Sequence, residues 1–164
     1  SHSIELRAAQ TIRIAGRIKA GAGGITLVAG EALHIDGALE SEGPVRLRMS
    51  SGLGRIEVVG RVSTTDGTAE TGAIVIESRG HVRIAGELLT GRGMQADSGR
   101  IEITAYGDVS IEGMAARVMT GASVGGRAGP IEVLVSSAGA ARSRRLWRGR
   151  TQAPATPTRA RRHP

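Results

Sequence analysis

The apolar positions of this chain fall into a five-residue pattern that keeps returning: apolar, variable, apolar, variable, glycine. It reads Ile12-Arg-Ile-Ala-Gly16 first, then Leu33 to Gly37, Ile56 to Gly60, Val82 to Gly86 and Val109 to Gly113. An alternating apolar pair precedes each copy: Ile4/Leu6, Ile25/Leu27, Val45/Leu47, Ile74/Ile76 and Ile101/Ile103. A sixth pair, Ile131/Val133, opens a unit that is not completed. From the second member of each pair to the first apolar residue of its glycine unit, the separation is 6, 6, 9, 6 and 6 residues. Strict alternation puts apolar side chains on one face of an extended strand. The strands are too short to stand alone, and the pairs recur every 20 to 30 residues. That is the period of a solenoid in which each repeat makes one coil.

The predicted fold is all-β, a right-handed parallel β-helix (β-solenoid) of about five to six coils. Each residue then sits above its counterpart in the coil below, about 4.8 Å away. Ile12, Leu33, Ile56, Val82 and Val109 form one aliphatic column, and Ile14, Ile35, Val58, Ile84 and Ile111 a second. The five glycines form a column at a corner, where a bend or positive φ excludes a Cβ. A third inward column follows at Ile18, Leu39, Val62, Leu88 and Ala115, giving three faces per coil. An antiparallel meander fits less well, because tight hairpins favour Asn-Gly turns and the chain contains no Asn.

Composition agrees with a thin aliphatic core. There is no Phe, one Trp and one Tyr against 25 Gly, so the bulky residues of a compact globular core are missing. Charge is divided unevenly. The chain carries a formal +7, but from Ala140 onward there are eight Arg and no acid, which leaves 14 basic residues against 15 acids before it. The division predicted is a repeat domain over 1–139 and a disordered Arg- and Pro-rich tail over 140–164, with a transient helix near Arg142–Arg148. Such a tail binds polyanions non-specifically, so no specific nucleic-acid partner is expected. No capping element is legible at the carboxy end, which predicts end-to-end self-association. The absence of Cys removes disulfides and thiolate chemistry. No apolar run approaches the length of a membrane span. The Ser-His-Ser start reads as a processed product or a piece of something larger.

Variability is confined to the segment between the third face and the next coil. It is short in the first two coils and lengthens to loops 64–73, 91–100 and 119–130, rich in Gly, Ser, Thr and Ala. Loops on a rigid scaffold vary without disturbing it, so these three are the expected contact points for host-cell glycans or surface proteins.

The units Gly72-Ala-Ile-Val-Ile-Glu-Ser-Arg-Gly-His-Val-Arg-Ile-Ala-Gly86 and Gly99-Arg-Ile-Glu-Ile-Thr-Ala-Tyr-Gly-Asp-Val-Ser-Ile-Glu-Gly113 carry a resemblance. Over about Ile4 to Val135 the chain resembles the filamentous haemagglutinin-like adhesins exported by two-partner secretion in Gram-negative bacteria. The resemblance implies a right-handed parallel β-helix serving as an extracellular stalk. It implies a non-catalytic, adhesive role at the bacterial surface or in the medium. An alternative is an intracellular polymer-forming scaffold resembling bactofilins, and a third is a carbohydrate-active β-helix enzyme.

Outward positions give two rows, Arg13–His34–Glu57–Arg83–Ser110 and Glu5–Thr26–Arg46–Val75–Glu102–Glu132. Glu57 is expected to pair with Arg83 and to lie near His34. A carbohydrate- or anion-binding stripe and a solvated face with weak ion pairs are the competing readings, and the second is adopted. The Asp residues fall at unlike places in their coils, which leaves no paired carboxylates for glycoside chemistry. His34 and Asp36 share a face and are the only candidates for it. His2, His34, His81 and His163 show no ligand spacing. Gly91-Arg-Gly-Met-Gln-Ala96 matches a dinucleotide fingerprint only by chance, with no helix after it. No catalytic residue, cofactor or metal is therefore assigned.

Overall fold

The computed structural model describes residues 2–64, 72–91, 98–121 and 128–136, and the backbone alone of 143–147. Three strands make each coil. The first coil holds β1 (Ser3–Ala8), β2 (Thr11–Ile14) and β3 (Arg17–Ala20), and the second β4 (Gly24–Ala29), β5 (Ala32–Ile35) and β6 (Ala38–Ser41). The third holds β7 (Val45–Met49), β8 (Arg55–Val58) and β9 (Arg61–Thr64). The fourth holds β10 (Ile74–Ser78), β11 (His81–Ile84) and β12 (Glu87–Thr90), and the fifth β13 (Ile101–Ala105), β14 (Val109–Ile111) and β15 (Arg117–Thr120). β16 (Ile131–Val135) begins a sixth coil and β17 (Ser143–Trp147) follows it.

Strands at equal positions stack into three sheets. The first runs β1-β4-β7-β10-β13-β16-β17, the second β2-β5-β8-β11-β14 and the third β3-β6-β9-β12-β15. Pairing between coils is parallel throughout, and the register matches the apolar columns. Ile12 pairs with Leu33, Leu33 with Ile56, Ile56 with Val82 and Val82 with Val109. In the first sheet Ile4, Ile25, Val45, Ile74, Ile101 and Ile131 align. A slip of one residue would turn each aliphatic side chain outward, so burial itself holds this register. The middle coils are closed from both sides: Leu33, Ile56, Ile76 and Leu88 are fully buried. Each such side chain contributes about 1.5–3 kcal/mol. Leu6 in the first coil and Ile111 in the fifth are exposed, because each is covered on one side only.

Three expectations change. The third inward residue of the fifth coil is Val118, paired with Leu88, and Ala115 is exposed. The connection from β14 to β15 is longer than its counterparts, so counting two residues past the glycine lands inside the turn. Gly113 has the positive φ expected at the corner, but three other corner glycines are required for a different reason. Among the described residues only Gly24 and Gly113 have positive φ. A Cβ on Gly37, Gly60 or Gly86 would instead stand 1.9 Å from the carbonyl oxygen of the glycine one coil below. Finally, β17 is extended and pairs antiparallel with β16, in place of a disordered tail with a transient helix. The open edge of β16 offers unpaired backbone groups that a strand can satisfy and a helix cannot. β17 also caps the first sheet, whereas the second and third end on β14 and β15. The rest of the tail lies outside the described residues.

Candidate functional site

The three sheets present three outer faces, and the second carries a chain of charges across the coils. Alternation turns Arg13, His34, Glu57 and Arg83 outward from β2, β5, β8 and β11, and parallel stacking sets them side by side. Arg13 Nε donates to Asp36 Oδ2 at 2.7 Å. His34 Nδ1 lies 3.1 Å from Glu57 Oε2. Arg83 Nη1 donates to Glu57 Oε1 at 2.6 Å, and its Nε to Glu112 Oε1 at 3.0 Å. The hydrogen bond from Arg83 holds the Glu57 carboxyl below the usual carboxylate range, against the opposing effect of partial burial. The hydrogen bonds that Arg83 donates to Glu57 and Glu112 raise Arg83 in turn. Both pairings expected of Glu57 are present, and Ser110 takes the next place in the row.

His34 and Asp36 both face outward but are held by different partners, Glu57 and Arg13. Among the described residues no group of three or more His, Asp and Glu is placed to hold a metal ion. On the third sheet Arg17 pairs with Glu40 one coil away, and that hydrogen bond lowers the Glu40 carboxyl.

The second expected row lies on the first sheet, where Glu5, Thr26, Arg46, Val75, Glu102 and Glu132 align. The parallel row beside it, Arg7–Val28–Arg48–Glu77–Thr104, was not singled out from the sequence. It forms the floor of a groove of about 500 Å³ at the edge of the sheet. Arg79 and Tyr106, consecutive in the corner that follows, form its rim. The signal was present in the third coil, whose separation of 9 instead of 6 inserts three residues beside the groove and leaves Leu53 96% exposed.

The third coil corner has its own anchoring device. Ala20, Ser41, Thr64, Thr90 and Thr120 stack inward at the end of the third sheet. Thr64 Oγ1 donates to Gly72 O at 2.8 Å, which pins together the two ends of the 65–71 segment. Ser41 Oγ accepts from Gly43 N at 3.1 Å, and Ser98 Oγ from Gly129 N at 2.8 Å. The interiors of the three expected contact loops, 65–71, 92–97 and 122–127, lie outside the described residues.

The fold and these faces define a three-sided parallel β-solenoid. Scans against family models, curated proteins and solved structures find no match to this chain. Among the described residues no helix is long and apolar enough to cross a membrane.

Proposed function

We propose that the chain is a non-catalytic rod segment of a secreted or surface-exposed adhesive protein of the filamentous haemagglutinin-like kind. One observation carries this reading. The connections from the third sheet to the first lengthen from 3 residues between β3 and β4 to 10 between β12 and β13, while the strands they join keep their register. A scaffold that takes its largest and most frequent length changes at one corner suits presentation of variable loops. Five coils extend about 24 Å along the axis, and weak contacts repeated along a longer rod would add by multivalency. The contacts of His34 with Glu57 and of Asp36 with Arg13 engage the two side chains a hydrolytic site would draw on, which favours a role without catalysis.

The test is protease accessibility on intact source cells, read with an antibody against residues 1–139 and a cytoplasmic protein as control. Digestion with the control intact supports the reading. Protection until lysis overturns it.

A second reading, an intracellular scaffold that polymerises end to end, is favoured by one feature. β1 to β3 at one end and β14 and β15 at the other have an edge without a partner among the described residues. Sedimentable filaments formed by the purified chain would support this alternative.

A further inference from the structure

We infer that the groove on the first sheet is a binding site for an anionic polysaccharide lying along the solenoid axis, across the strands. The inference rests on the attachment reading above and names its ligand class.

The charge in the groove is one-sided. Arg7, Arg48 and Arg79 line it with one carboxylate, Glu77, which Arg48 meets at 3.1 Å, while Arg7 pairs with Glu5 on its own strand. Arg79 has no carboxylate within 4.0 Å among the described residues. Guanidinium groups bind carboxylate and sulfate oxygens in paired hydrogen bonds, so the unmatched Arg79 selects an anion, and the exposed ion pairs of Arg7 and Arg48 are weak enough for a polyanion to compete for them. Parallel stacking sets the spacing. Arg7 and Arg48 stand in the first and third coils, about 10 Å apart. A ligand with charges at regular intervals meets both; a single small anion meets one.

Tyr106 supplies the other half of the chemistry. It is 59% exposed at the rim, one coil above Arg79. An exposed ring with a polar tip suits the apolar face of a sugar ring and its hydroxyls together. The rest of the row along the floor is Val28, between the two arginines, and Thr104, past Glu77. An acidic peptide suits this site less. Peptides gain affinity by adding a strand to an open sheet edge. This groove lies on a face whose strands β4, β7, β10 and β13 are paired on both sides.

The experiment is affinity electrophoresis of the full chain at about 0.15 M salt, where weak surface attraction is screened. The gels contain polygalacturonate, dextran sulfate, neutral dextran or polyglutamate. Polygalacturonate, dextran sulfate or both should retard the protein and dextran should not, the stronger of the two telling carboxylated from sulfated sugars. Arg79→Gln with Tyr106→Ala should weaken binding on the order of tenfold, equivalent to about 1.4 kcal/mol. Because eight Arg lie beyond Ala140, a variant with Arg159, Arg161 and Arg162 changed to Gln serves as control and should bind as the parent does. Both replaced groove side chains are exposed, and an unchanged melting curve verifies folding. Equal binding by the groove variant, loss confined to the tail variant, or equal groove-dependent binding of polyglutamate would each overturn the site. Failure here with the protein digested on intact cells would remove this groove and leave the surface location standing.

Discussion

The carbonyl oxygen of Gly37 lies where a Cβ on Gly60 would have to go, at 1.9 Å. The same oxygen accepts the backbone N–H of Arg61 at 2.9 Å, so it cannot turn away without giving up a ladder bond. The corner therefore excludes every side chain by close approach, whatever its φ.

This relationship has an internal control. Gly16 occupies the corresponding corner of the first coil, and a Cβ there meets nothing within 4 Å. Gly60→Ala should destabilise the solenoid by about 1–3 kcal/mol or more. Gly16→Ala should stay within about 0.5 kcal/mol of the parent. Urea denaturation of the two variants side by side checks this, and equal effects would refute the stacking explanation.

The Glu57–Arg83 pair predicts a pH dependence. Because Arg83 depresses the folded-state value of Glu57, the pair contributes stability that is present above the unfolded carboxyl value. That stability is lost as pH falls through the depressed folded value. Arg83→Gln should raise the Glu57 titration midpoint and flatten this acid limb. Carbon-detected NMR titration of the Glu57 carboxyl gives the answer, with an unmoved midpoint counting against the pair.

The hydroxyl column predicts a contrast between neighbouring coils. Thr64→Val removes the donor to Gly72 O in a buried setting and should cost about 1–3 kcal/mol. Thr90 Oγ1 is buried without a hydrogen-bond partner among the described residues, so Thr90→Val should be neutral or stabilising. Thermal melts of the pair decide it.

The register of the fifth coil can be tested the same way. Val118 packs against the core and Ala115 is exposed. Val118→Ala should destabilise by roughly 1 kcal/mol or more, while Ala115→Ser should change little. The reverse order would restore Ala115 to the inward column.

The solenoid was legible in the residues alone, because alternation and a repeated glycine are local patterns that survive being read one coil at a time. All five members of the first two aliphatic columns, four of five in the third, and the pairing of Glu57 with Arg83 followed from register alone. Features that depend on the distance between coils emerged only on folding. The glycine requirement comes from a carbonyl 23 residues away, between Gly37 and Gly60. Val118 replaces Ala115 because a turn can lengthen without altering the strands on either side. The groove was hidden because Arg7, Arg48, Arg79 and Tyr106 belong to four different coils. Their outward positions show no aliphatic periodicity, and only stacking brings them to one edge of one sheet.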